Sequence, residues 1–197
     1  RLKASRTAQP ERSRRHTPEE ARREIMDSAI GFLWKRPFRD LTVTELMGGT
    51  TLSRPAFYTY FIDLHALIET LLGEVEAVMH ETAHPWVIGE GEPLAALLES
   101  QRGVVQTCVD HGPILRAVAE AAPLDERLEK TWSAFTERWD AVVEARIKAQ
   151  QADGLISKSL DGKRIANALN TLDTGLLIAE FGRRPQADPE AVLGTLG

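Results

Sequence analysis

His80-Glu81-Thr82-Ala83-His84 carries the sharpest chemical pattern in the chain. On a helix, H-E-x-x-H sets two imidazoles on one face, where both can hold zinc while the glutamate serves as base toward a bound water. Three features weigh against that use. Pro85 follows at once, no histidine occupies the third-ligand position of metzincins, and the motif is expected at the frayed end of a helix, with only Glu99 offering a further ligand. A solvated helix end or an adventitious metal site explains the same letters. The single thiol, Cys108, falls in an apolar stripe and reads as core rather than nucleophile. The sequence contains no G-x-S-x-G, G-x-G-x-x-G or P-loop. A zinc-dependent helical hydrolase built on residues 80–84 is therefore the enzymatic alternative, and no cofactor is expected.

A second chemistry is written in the first sixty residues. Residues 1–62 hold 12 Lys+Arg against 7 Asp+Glu, whereas residues 63–197 hold 12 against 22, so a head of +5 precedes a body of -10 within a net charge of -5. A basic head on an acidic body points to a polyanion met by the head alone, the plainer alternative being a solvated basic tail. Within that head, Arg54 carries a forked guanidinium that can bond N7 and O6 of guanine, and Tyr58 and Thr59 follow about one helical turn later.

Helices must position these groups. The 197 residues, 43% hydrophobic and 27% charged, can bury a core, and one cysteine excludes a disulfide scaffold and fits a reducing compartment. Residues 1–16 lack apolar periodicity and read as a flexible basic arm. Thr17-Pro18-Glu19-Glu20 spells a capping box for a helix to about Lys35 that buries Ile25, Ala29, Phe32 and Leu33. Thr42 can cap a short helix through Met47, Gly48-Gly49 breaks it, and Ser53 can cap another to about Phe61. Asp63 opens a long amphipathic helix through Leu64, Leu67, Ile68, Leu71, Leu72, Val75, Val78 and Met79, which Pro85 is expected to end. Apolar stripes continue at 94–109, 128–147 and 165–176, and Asp188-Pro189-Glu190 opens a last helix. No convincing strand is legible, so the fold class is all-α.

The stretch from Leu41 to Leu72, above all Ser53-Arg54-Pro55-Ala56-Phe57-Tyr58-Thr59-Tyr60-Phe61, resembles the helix-turn-helix of TetR-type bacterial transcriptional repressors. The resemblance implies an N-terminal helix-turn-helix DNA-binding domain over 17–62 and a helical ligand-binding and dimerisation domain over 63–197. It implies that Thr42, Thr44 and Tyr60 hold phosphates, that Ser53, Arg54, Pro55, Tyr58 and Thr59 face the major groove, and that Phe57 and Phe61 belong to the core. Two departures stand out. Thr51 occupies the turn where the family usually has glycine, which threatens a strained left-handed threonine unless Gly48-Gly49 shifts the turn. Leu64 stands where the family usually has lysine, which removes a phosphate contact.

More loosely, TWSAFTERW at 131–139 and ANALNTLDTGLLIAEF at 166–181 resemble an actinobacterial subgroup of that family, the ethionamide-activation repressors. The resemblance implies an aromatic ligand tunnel lined by Trp132, Phe135 and Trp139, with Asn170, Asp173 and Thr174 as polar groups able to orient a mainly apolar molecule. The same aromatic stripe can equally fill the core. The implied function is a ligand-responsive repressor that binds a palindromic double-stranded operator as a homodimer. The last two helices, about 161–182 and from 188 onward, are expected to form a four-helix interface to which Leu176, Leu177 and Leu193 contribute, unless those leucines only fill the monomer core. No run of ~18 apolar residues and no signal-peptide start is present, so a cytoplasmic protein without membrane contact is expected. The first residue is Arg rather than Met, as expected of a truncated chain or of the ordered portion of a longer one.

Overall fold

A computed structural model describes residues 16–196; the expected basic arm lies, apart from His16, outside the described residues. Eight α-helices follow in order: α1 (Pro18–Leu33), α2 (Val43–Gly48), α3 (Arg54–Tyr60), α4 (Leu64–Ile88), α5 (Pro93–Ala121), α6 (Glu126–Ala152), α7 (Gly162–Phe181) and α8 (Pro189–Leu196). Single 3-10 turns sit at Phe38–Asp40 and Ala122–Leu124, and no strand occurs among the described residues. The all-α expectation holds.

Local signals fix most helix starts. The Thr17 hydroxyl accepts from the Glu20 amide while Glu20 accepts from the Thr17 amide, the reciprocal capping box read from sequence. Thr42, Asp63, Glu92, Asp125 and Asp161 each accept an amide proton in the first turn of the helix that follows. Ile25, Met26, Ala29 and Leu33 of α1 pack with Leu46 and Met47 of α2, with Phe57 of α3 and with Phe61. That cluster runs without a break into Leu67, Ile68, Leu71 and Leu72 of α4 and Ile114, Leu115 and Val118 of α5. Each such side chain contributes roughly 1.5–3 kcal/mol on burial. Val78, expected on the apolar stripe of α4, is exposed instead.

Pro85 does not end α4. The helix runs one turn past it, because half-buried Trp86 and Val87 still have apolar surface to pack. Gly89 supplies the true stop: it adopts the left-handed conformation (φ 76°), and the Glu90 amide returns to the Pro85 carbonyl at 2.9 Å. A second proline, Pro113, sits inside α5 and leaves the Val109 carbonyl without its helical donor. Gln186 Nε2, from the segment after α7, donates to that oxygen at 2.8 Å. α5 thus continues to Ala121, well beyond the apolar stripe legible in sequence.

The turn between α2 and α3 carries no strained threonine. Every described residue with positive φ is a glycine, namely Gly89, Gly91 and Gly154. Thr51 lies flat against α1, its amide and hydroxyl both donating to the Glu24 carboxylate, and these bonds hold Glu24 below the usual carboxylate range. The need for glycine has moved to Gly49, where a Cβ would run into the Ser28 hydroxyl that donates to the Leu46 carbonyl at 2.7 Å.

Two measurements test this packing. A Cβ at Gly112 would stand 2.7 Å from the Phe181 carbonyl carbon, and its oxygen is closer still, so Gly112→Ala should destabilise by about 1–3 kcal/mol in urea unfolding. Gly73, in α4 with nothing within 4 Å, should gain about 0.5–1 kcal/mol as alanine.

At the base of α4, Asp63 is held below its ordinary pKa first by the Ala66 amide, Glu69 by the Arg127 guanidinium and Asp125 by His65. Carboxylates depressed on folding stabilise above their unfolded pKa and lose that contribution as pH falls through the folded one. The urea midpoint should therefore be level from neutrality to about pH 5 and fall below about pH 4, with a shallower fall in Glu69→Gln.

Candidate nucleic-acid interface and ligand cavity

α3 is a seven-residue helix held from beneath by Phe57, which is fully buried and lies 5.8 Å, centroid to centroid, from Phe61. With that face committed, Ser53, Arg54, Pro55, Tyr58 and Thr59 are all exposed, Tyr58 by 56%. Arg54 has no acidic partner among the described residues, and the Ser53 hydroxyl makes no cap bond despite its place before the helix. Both are therefore available to an incoming partner. Thr44 is exposed on α2, and Tyr60 is half-buried at the end of α3. Thr42 is more committed than its sequence position suggests: its hydroxyl accepts from the Glu45 amide at 3.2 Å and donates to Glu45 Oε2 at 3.1 Å. Glu45 in turn pairs with Arg36, whose guanidinium holds that carboxyl below its usual range. Leu64, in place of a lysine, packs half-buried against the core as the first residue of α4.

A cavity of about 820 Å³ opens in the body between α4, α5, α6 and α7. Trp132, Phe135, Trp139, Asn170, Asp173 and Thr174 all line it, so the six residues singled out in the sequence are brought together. The Trp132 and Phe135 rings stack at 5.3 Å and form one wall, leaving space beside them. Asn170 Nδ2 donates to Asp140 Oδ1 at 2.8 Å, and Asn167 Nδ2 donates to the other oxygen at the same distance. Gln101 Nε2 reaches Asp173 Oδ2 at 3.3 Å. Burial pushes the Asp173 carboxyl above its ordinary range, and the Gln101 bond only partly offsets that.

Sequence reasoning missed Gln101, Asp140 and Trp86 as lining residues. Asp140 was within reach, since it shares a helical face with Thr136 and Val143, which also line the cavity. Trp86 was hidden by the expectation that α4 stops at Pro85. Leu177 and Leu193, offered as interface residues, are buried within the protomer and Leu176 is half-buried, whereas Leu169 and Leu172 of α7 are exposed, Leu172 by 70%. The register of α7 turns Leu172 outward, because Leu177 and Phe181 take the inward face, while Leu169 lies at the cavity beside Asp173.

The 80–84 motif lies inside α4, not at a frayed end. The His80 ring stacks on Trp139 at 4.4 Å and 9°, and its Nε2 lies 3.6 Å from Glu76, which Arg138 grips through both carboxylate oxygens. Glu81 and His84 are exposed, and no group of three His, Cys, Asp or Glu among the described residues is placed to hold a metal ion. Cys108 is buried in α5, where the apolar surroundings push its thiol up to about 12, far from a nucleophile's range. None of the helices among the described residues is long and apolar enough to cross a membrane.

Head and body are joined by buried Arg116 of α5, whose guanidinium donates to the Leu33 carbonyl at the end of α1. Beside it, Arg184 stacks on Trp34 at 4.4 Å. Within the body, α6 is tied to the start of α4 by polar, half-exposed bonds: Arg127 bridges Asp63 and Glu69, and His65 meets Asp125 at 2.6 Å.

Residues 98–197 match the family described as the C-terminal domain of transcriptional regulator EthR. Over 178 residues the chain is 30% identical to the HTH-type transcriptional regulator EthR of Mycobacterium tuberculosis, covering 87% of this chain and 81% of that protein. It is 24% identical to EthR of Mycolicibacterium smegmatis, over 98% and 89% of the two chains. The fold is shared with the fatty acid degradation regulator FadR of Bacillus halodurans (TM-score 0.77, 12% identity, 93% and 94% covered). It is also shared with the TetR family regulator PfmR of Thermus thermophilus (TM-score 0.70, 15% identity, 87% and 94% covered). A helix-turn-helix head continuous with an all-helical, hollow body, together with these likenesses, shows that the chain belongs to the TetR family of transcriptional regulators, in the group that contains EthR.

Proposed function

We propose that the protein is a cytoplasmic repressor that binds a palindromic operator as a homodimer and responds to a mainly apolar small molecule in the body cavity. Residues 17–62 are the DNA-reading head and 63–197 the ligand-binding and dimerisation body. The observation that carries this reading is α3: Arg54, Pro55, Tyr58 and Thr59 on a short helix, and Ser53 just before it, are all exposed, while one fully buried phenylalanine anchors the helix. Arg54 reads guanine in the major groove, with Ser53, Pro55, Tyr58 and Thr59 beside it, while Thr42, Thr44 and Tyr60 engage phosphates. A single α3 reads only a few base pairs, so specificity calls for two heads on successive groove faces, ~34 Å or a multiple apart. Exposed Leu172 supports α7 as the dimer face.

Met79, Ala83 and Trp86 of α4 line the cavity, and only three residues separate the end of α3 from the start of the same helix. A ligand that displaces α4 therefore shifts the spacing of the two heads. Trp132, Phe135 and Trp139 supply the apolar wall, and Asn170, Asp173 and Thr174 the polar anchors.

Arg54→Ala should weaken operator binding by about 1–3 kcal/mol and relax preference at one base pair, while Tyr60→Phe should weaken all sequences alike. Gel-shift titrations against palindromes near the gene measure both, and binding should fall steeply with salt. A protein with no salt-sensitive preference for any such fragment would refute the repressor reading. Leu172→Glu should give a folded monomer with much weaker operator binding in sedimentation and gel shift. Thr136→Trp should fill the cavity and abolish ligand response while unfolding cooperatively as before.

A further inference from the structure

The charge of the cavity wall is one-sided. Among its thirty lining residues there is no Lys, Arg or His, but there are two carboxylates, Asp140 and Asp173, and three tryptophans, Trp86, Trp132 and Trp139. An organic anion entering this space would find no counter-charge and would lose its hydration beside two acids, a penalty that apolar contact has to overcome.

The two carboxylates are not equivalent. Asp140 has both oxygens served, by Asn167 and Asn170 at 2.8 Å each, and its charge is already solvated by protein. Asp173 has one bond, 3.3 Å from Gln101 to a single oxygen, and is half-buried. A half-buried carboxylate with one weak donor is an unfinished site, because such groups are normally met by several hydrogen bonds or a cation. One helical turn separates it from Asn170 along α7, so a single head group at Asp173 also lies within the field of Asp140. Tryptophan faces add to the same preference, since their quadrupole attracts cations and repels anions.

We infer that the effector is a lipophilic cation, an ammonium or amidinium group on an alkyl or aromatic body, whose charge pairs with Asp173 while the body lies along Trp132, Phe135 and Trp139. The inference rests on the cavity being the effector site and specifies the chemical class that it selects. At about 820 Å³ the space suits a drug-sized molecule.

Three probes with one tail separate the possibilities: decyltrimethylammonium, decanol and decanoate, titrated below their micellar concentrations into the full chain, with tryptophan fluorescence as the signal. The cation should bind at least about tenfold more tightly than the alcohol, and decanoate weakest of the three. In Asp173→Asn, folded by circular dichroism, the ratio of cation to alcohol affinity should collapse toward one. If that variant fails to fold, the wild-type ranking alone decides. Equal binding of all three probes, or tightest binding of decanoate, would overturn the cationic assignment and leave the cavity as an effector site. An unchanged ratio in Asp173→Asn would overturn the role of that residue. If no probe saturates and none alters operator binding, both the cationic class and the cavity reading fail together.

Discussion

The architecture turns on one crossing, where the end of α7 passes directly over the middle of α5. Gly112 lets the Phe181 backbone approach so closely that no side chain fits between them, and Gly182 lies against the stem of Arg116 with the same intimacy. Pro113, next in line, leaves a carbonyl that Gln186 from the far side of the crossing then fills. Under this junction Arg116 extends its buried guanidinium to the last carbonyl of α1. A hydrogen bond from a charged donor is worth roughly 1.5–3 kcal/mol, and burial here lowers the arginine's pKa, so the cation is held by geometry and by the negative end of α1 more than by any acid. The crossing thus joins α7, which lines the cavity, to α1 of the helix-turn-helix head.

Much of this was legible in the letters. The capping box at Thr17, the caps at Thr42 and Asp63 and the inward Phe57 and Phe61 follow from local chemistry and period, whereas the grouping of six cavity residues came from the family resemblance, since the stripe alone fits a filled core equally well. The errors share one cause, which is that tertiary contact overrode a local rule. Pro85 reads as a stop, yet Trp86 and Val87 had a core to join and Gly89 offered a cheaper end. Thr51 reads as a strained glycine replacement, yet Glu24 fixes it at negative φ and Gly49 absorbs the steric demand. Leu177 and Leu193, which the resemblance offered to an interface with the monomer core as the open alternative, take the core, a choice that period alone could not make.

The division of charge found in the sequence gains a second meaning once folded. Across the body acidic residues outnumber basic ones, and many are spent in ion pairs such as Arg138 with Glu76 and Arg127 with Glu69. Exposed pairs of this kind add little stability individually, but they fix the orientation of α6 against α4, and with it the separation of the walls that α4 and α6 give the cavity. The acids left over on the inner face have no such partner, so the charge imbalance extends from the outer surface to the cavity lining.

α4 is the element that links the helix-turn-helix head to the cavity. Its N-terminal end is pinned by Asp63 and Arg127, its middle is packed against the core through Leu71, Leu72 and Val75, and its last turns carry Met79, Ala83 and Trp86 to the cavity. A rod held near its middle converts a displacement at one end into an opposite displacement at the other, provided the rod does not bend. Pro85 bears on that proviso, because it leaves the Glu81 carbonyl without its helical donor and so weakens only the turn over 81–85, while α4 from Leu64 to His80 is an uninterrupted helix. A push delivered at Met79 therefore enters the stiff part of the rod, whereas a push at Ala83 or Trp86 is partly absorbed by the weakened turn. Molecules of similar size should consequently differ in their effect on DNA binding according to how deeply along α4 they press, and not according to affinity alone.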